Sequence, residues 1–98
     1  MAFWVYLLEC VDRSYYVGHT DDLERRMAEH VSGELGGYTA TRRPLRLVFT
    51  QECSSRDEAL TAERQIKGWS RKKKQALISG DWAEISRLAS RRTLFRSD

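Results

Sequence analysis

Hydrophobic residues fall into short blocks with two different periods. Phe3-Trp4-Val5-Tyr6-Leu7-Leu8 is an unbroken apolar run rich in aromatic and branched side chains. Its length predicts a strand covered on both faces. Asp12-Arg13-Ser14 is turn chemistry, and Tyr15-Tyr16-Val17-Gly18 reads as a second strand, so the two predict a hairpin. Gly18 ends that strand and leaves room for a close neighbour. Leu23, Met27 and His30 then recur at helical spacing, with Asp21 as N-cap, Glu24 completing a capping box and Gly33 near the C-terminus. Gly33 to Arg43 is rich in glycine and polar residues and predicts a long loop, a functional suspect in a small domain. Leu45-Arg46-Leu47-Val48-Phe49 alternates in part and predicts a third strand running to about Cys53.

The second half is helical in pattern. Ser54 or Ser55 opens a helix whose apolar face is Ala59, Ala62, Ile66 and Trp69. Ser70 and Gly80 bracket a further helix, and Asp81 with Glu84 caps another carrying Trp82, Ile85 and Leu88. Trp69 and Trp82 both read as core residues. The predicted order is β-β-α-β-α-α-α, an α+β fold with a small sheet. Residues 1–81 form the main unit, and 82–98 a C-terminal helix and basic tail packed on it or extending it.

Size and charge narrow the function. The chain has 98 residues, enough for one small domain with a modest core. It lacks an apolar run long enough to span a membrane, and its N-terminus lacks the basic start and cleavage site of a secretory leader. Cys10 and Cys53 make neither a disulfide framework nor a zinc site, although they could be neighbours across strands, and reduced thiols point to a cytoplasmic protein. The net charge of +3 is uneven: residues 1–40 sum to −4 and residues 41–98 to +7. A basic second half suits a polyanion, or is simply a solvated surface.

The order of several short motifs is more specific. Val5-Tyr6, Tyr16-Val17-Gly18, Leu23-Glu24-Arg25-Arg26 and His30 resemble the signature of the GIY-YIG nucleases. Tyr38-Thr39, Arg42-Arg43-Pro44 and Leu47-Val48 resemble the next block of that family's small stand-alone bacterial members. Ala59-Leu60, Glu63, Ile66-Lys67, Lys74 and Leu77-Ile78 resemble the block after it. The likeness covers about residues 3–79. The glycine of the first motif is absent, since the chain reads Trp4-Val5-Tyr6, and Glu34 places an acid in a loop that is usually basic. The resemblance implies a three-stranded, largely antiparallel sheet flanked by helices. It also implies phosphodiester hydrolysis in DNA with one divalent ion, Mg²⁺ or Mn²⁺.

Residue chemistry is compatible with those roles. Glu63 falls between Ala59 and Leu60 on the helical wheel, an inward position that is costly for a carboxylate unless it is paired or bound to metal. One carboxylate with phosphate oxygens and waters makes a normal magnesium site; an ion pair with Lys67 is the alternative. Arg26, sharing a face with His30, would stabilise phosphoryl charge through its fixed fork of donors. Tyr6 and Tyr16 would handle the attacking water, with Tyr6 the base implied by the resemblance; as phenols near pKa 10 they need cationic help. Their sharing of one sheet face requires a three-residue hairpin loop. His19 could serve as donor or base, and His30 could touch phosphate or order the water. Arg71, Lys72, Lys73 and Lys74, with Arg42, Arg43 and Lys67, suit phosphate contacts, and Tyr38 and Thr39 suit substrate contacts from the loop.

The expectation is therefore a metal-dependent endodeoxyribonuclease, selective for single-stranded or branched DNA in repair or recombination. With no second domain to read a sequence, it would recognise a DNA structure or use a protein partner for targeting. The rival readings are a catalytically silent nucleic-acid-binding module of the same fold, and an adaptor using an exposed patch at Trp82, Ile85 and Leu88.

Overall fold

The structure, a computed structural model, describes residues 2–88. The elements run β1 (Phe3–Glu9), β2 (Tyr15–Thr20), α1 (Leu23–Ser32), α2 (Gly37–Ala40), β3 (Arg46–Cys53), α3 (Arg56–Lys67), α4 (Arg71–Ser79) and α5 (Trp82–Leu88). The sheet order is β2-β1-β3, with both pairings antiparallel. The α+β architecture and three-stranded sheet are as the sequence predicts. No described helix is long and apolar enough to cross a membrane.

The apolar run of β1 becomes the central strand, and its alternation divides the molecule. Val5 and Leu7 join Val17, Ala59, Ile66, Trp69, Leu77 and Ile85 in the main core under α3, α4 and α5. Tyr6 points the other way, toward α1, where its hydroxyl meets His30. Both sets are buried, which explains why the run reads as continuous rather than alternating. Ile85 lies within the same core as α3 and α4, so α5 packs on the unit formed by the earlier elements.

The hairpin has an odd loop. Cys10 N–H donates to Ser14 O, and Arg13 N–H closes a turn on Cys10 O. The loop is thus Val11-Asp12-Arg13, one residue earlier than the sequence predicts, with Arg13 at φ 72 in the left-handed position of such loops. Leu8 then pairs with Tyr16 and Tyr6 with Gly18, which places both tyrosines on one face.

Four further expectations of the fold need correction. The N-cap of α1 is Asp22, which accepts from Arg25 N–H; Asp21 instead pairs with Arg25 and Arg56 side chains. The predicted Gly33–Arg43 loop contains the short helix α2, seated because Thr39 finds a buried partner. Trp82 is 58% exposed, because Ile85 takes the inward position on α5. Cys10 and Cys53 are both buried free thiols at opposite ends of the sheet: Cys53 pairs with Phe3, while Cys10 follows Glu9 at the far end of β1. Arg91, Arg92 and Arg96 lie outside the described residues, and so does the basic tail.

Candidate active site

The site begins with a missing side chain. A Cβ on Gly18 would lie 2.5 Å from the Tyr6 hydroxyl oxygen and 2.6 Å from its ring carbon Cζ. Glycine opposite Tyr6 is what lets that ring lie across β2. The hydroxyl reaches His30 Nε2 at 2.9 Å, and His30 Nδ1 lies 3.0 Å from Thr39 Oγ1. Tyr16 packs edge-on against the same imidazole, 5.3 Å between ring centres. Three elements, β1, α1 and α2, are thus tied through one histidine.

Burial sets the electrostatics of this cluster. Tyr6 is fully buried, and that burial, with Tyr16 beside it, pushes its pKa from 10.0 to about 12 against the opposing pull of Arg26. His30, also buried, is held below the usual 6.5, first by loss of solvation and then by the Arg26 charge. Both groups are therefore neutral at pH 7. Arg26 stays at the surface, 31% exposed, with Nε donating to Glu29 at 3.1 Å.

A second cluster forms where α3 meets the edge of β2. Glu63 lies on the buried stripe of α3 between Ala59 and Ile66, with its side chain 12% exposed. Its Oε1 is 2.6 Å from His19 Nδ1, and its Oε2 is 2.9 Å from Lys67 Nζ. Burial would raise this carboxyl; the hydrogen bonds from His19 and Lys67 outweigh it and hold the pKa below its ordinary value. The inward carboxylate and its i,i+4 lysine, alternatives in the sequence, are both present. The negative charge of Glu63 adds a small upward push to the Tyr6 pKa, after burial and Tyr16.

The remaining sequence-predicted residues separate. Thr39 is buried and engaged by His30, so it is not a surface contact for DNA. His30 is equally enclosed, with its two ring nitrogens engaged by Tyr6 and Thr39. Lys73 is buried with its ammonium 4.3 Å from the Trp69 ring centre, which takes it out of the exposed basic run. Arg71 stacks on Tyr15 and donates to Arg13 O, securing the hairpin turn. Lys72 is exposed, and Lys74 is half-buried, which lowers its pKa. Arg43 donates to Ala40 O and Val31 O. Arg42 lies over the Tyr38 ring and pairs with Asp12. Sequence reasoning took Asp12 only as a turn residue; its partner is 30 positions away, so no local signal exists.

Chemically, the site combines a carboxylate, an imidazole and a guanidinium near the surface with a buried phenol–imidazole pair behind them. A group of three or more His, Cys, Asp or Glu that could cage a metal is absent among the described residues. Any ion would take its remaining ligands from water and substrate.

Residues 2–76 match the model of the GIY-YIG catalytic domain, a nuclease family whose members generally use divalent metal ions. The UPF0213 protein BH0048 of Halalkalibacterium halodurans is 46% identical over 79 residues, covering 81% of this chain and 84% of that protein. A UPF0213 protein of Natronomonas pharaonis is 42% identical over 78 residues, covering 80% and 92%. Two solution NMR structures share the fold. BH0048 from Bacillus halodurans has a TM-score of 0.54 at 46% identity, covering 81% of this chain and 84% of that one. EF2693 from E. faecalis has a TM-score of 0.59 at 36% identity, covering 85% and 88%. With residues 2–76 matching that model and relatives up to 46% identical over most of its length, the chain belongs to the GIY-YIG family.

Proposed function

We propose that this protein is a metal-dependent DNA endonuclease selective for single-stranded or branched DNA, with repair or recombination as its setting. The observation that supports this most is the inward carboxylate of Glu63 on α3, 2.6 Å from His19 of β2, in a chain whose residues 2–76 match the GIY-YIG catalytic domain.

Glu63 fits a divalent ion. Its Oε2 already faces a cation, the ammonium of Lys67, whose side chain is 53% exposed and free to swing toward solvent. An Mg²⁺ or Mn²⁺ ion held there by Glu63, phosphate oxygens and waters would polarise the phosphoryl group and ease departure of the leaving oxygen. With an ion there, Lys67 would be available as a phosphate contact.

The chain's own residues supply the other functions. Arg26 places its fork of donors against the phosphoryl oxygens as charge grows on them. His19 is the better placed base: Glu63 holds Nδ1, leaving Nε2 as the nitrogen for the attacking water. Tyr6 does not fit that role. A base must touch the proton it takes, and Tyr6 is fully enclosed, with a pKa of about 12. It is a positioning residue that fixes His30 and the face on which Tyr16 stands. Lys72, Lys74 and Arg43 lie toward the surface and would hold backbone phosphates.

The test is cleavage of labelled single-stranded, duplex and branched DNA with Mg²⁺, Mn²⁺ or EDTA, wild type beside Glu63→Ala. The expected result is metal-dependent cutting that falls by at least about 100-fold in the variant while binding is kept. Salt-sensitive binding with no cutting by wild type would instead indicate a silent binding module.

A further inference from the structure

We propose that Tyr38 and Arg42 form a stacking subsite for an unpaired nucleobase next to the scissile phosphate. The proposal rests on the nuclease reading and names the feature of the substrate that the site selects.

Tyr38 stands on α2 with 42% of its surface exposed. Arg42 covers its ring, with the guanidinium carbon 3.7 Å from the ring centre. That guanidinium is held in place by neighbours. Nε donates to Asp12 Oδ2 at 3.1 Å and Nη1 to Tyr38 O at 2.9 Å, while Val11 N–H ties the Arg42 carbonyl at 3.0 Å. The result is a flat cationic plane supported on an aromatic ring. A flexible arginine would lose rotamer freedom on binding; this one has already lost it in the free protein.

Its position suits a base flanking the reaction. The Tyr38 ring stacks on Tyr16, 6.4 Å between centres at 25°, and Tyr16 in turn packs on His30. The platform thus adjoins the catalytic face directly. The Asp12 carboxylate partly neutralises Arg42, so a phosphate is a weaker ligand here than at a free arginine. What remains is a flat, polarisable surface, which matches the π-face of a base. In a paired duplex both faces of a base are covered by its neighbours, so only an unpaired base can use such a plane.

The experiment uses the full chain in EDTA, so that no probe is cut. Single-stranded DNA carrying one 2-aminopurine is titrated with wild type, Tyr38→Ala, Tyr38→Phe and Arg42→Lys, beside a matched duplex and a strand with an abasic position. Wild type should quench the single-stranded probe and not the duplex. Tyr38→Ala and Arg42→Lys should weaken single-strand binding about 10- to 100-fold, and Tyr38→Phe should bind as wild type. The abasic strand should bind wild type and Tyr38→Ala alike. Unchanged affinity in Tyr38→Ala, equal losses on duplex and single strand, or Arg42→Lys binding as wild type would each overturn the subsite. Fold retention in Tyr38→Ala is checked through the His30 ring resonances. Because the readout needs neither metal nor cleavage, failure of the subsite and failure of the nuclease reading remain separate results.

Discussion

The Tyr6 hydroxyl lies 2.9 Å from His30 Nε2, and this one bond decides what both residues do. With the protonated phenol donating to Nε2, Nδ1 carries the ring hydrogen and donates it to Thr39 at 3.0 Å. Each polar atom of a buried pair then has a partner, so the pair is affordable where lone groups would not be. It also means that neither residue is available to solvent.

Alkaline titration should isolate Tyr6. Its pKa is raised from 10.0 to about 12, so the folded state prefers the protonated phenol. The resulting stability is complete below pH 10 and is lost as pH rises from 10 through about 12. Phenolate absorbance should show one tyrosine titrating near the top of that range, and Tyr6→Phe should remove it. The same titration in Tyr6→Phe and wild type would contradict the buried assignment.

His30 carries the opposite linkage. Its pKa is held below 6.5 in the folded protein, so the unfolded chain binds a proton first as pH falls. Stability is complete above 6.5 and declines below it. The ring resonances of His30 should titrate with a midpoint below 6.5. Thr39→Val, which removes the Nδ1 partner, should cost about 1–3 kcal/mol in denaturant unfolding, and Thr39→Ser should recover most of it.

Gly18→Ala should damage both stability and activity. The new methyl would sit 2.5 Å from the Tyr6 hydroxyl oxygen, and Tyr6 is fully buried with no free space to yield. Overpacking of this kind costs about 1–3 kcal/mol. Denaturant melts should show that loss, and the remaining folded protein should cleave more slowly because the Tyr6–His30 bond is displaced. A wild-type melting profile would mean that Tyr6 has an unrecognised alternative seat.

His19→Gln separates a base from a mere partner of Glu63. Glutamine can still donate to the carboxylate but cannot take a proton at neutral pH. Single-turnover cleavage should fall by about 10²–10⁴-fold with DNA binding nearly unchanged. Cleavage at the wild-type rate would exclude His19 as the base.

Ile85→Ala tests whether α5 belongs to the core or to a docking surface. Ile85 is 5% exposed and packs with the residues of α3 and α4. Its truncation should cost about 2–5 kcal/mol by urea unfolding. Trp82→Ala, at 58% exposure, should change stability by less than about 0.5 kcal/mol.

The sequence determined what local rules control. The unbroken run Phe3–Leu8 became the central strand because both of its faces are covered. Ser55 and Ser70 cap their helices and Gly33 and Gly80 end theirs, since caps depend on neighbours three or four positions away. The motif order was enough to identify the family, and the inward position of Glu63 followed from helical periodicity. Tertiary structure decided the rest. Whether Tyr6 and Tyr16 share a face turned on the parity of one hairpin loop, which Val11-Asp12-Arg13 sets and composition does not. Thr39, placed in a polar loop, was drawn inward by His30 nine residues earlier. Lys73, one of four consecutive cations, was buried against Trp69 while Lys72 stayed exposed. Asp12 and Arg42 met across 30 residues. Each of these depends on which groups come together after the chain closes, where desolvation and pairing outweigh the preferences of the isolated residue.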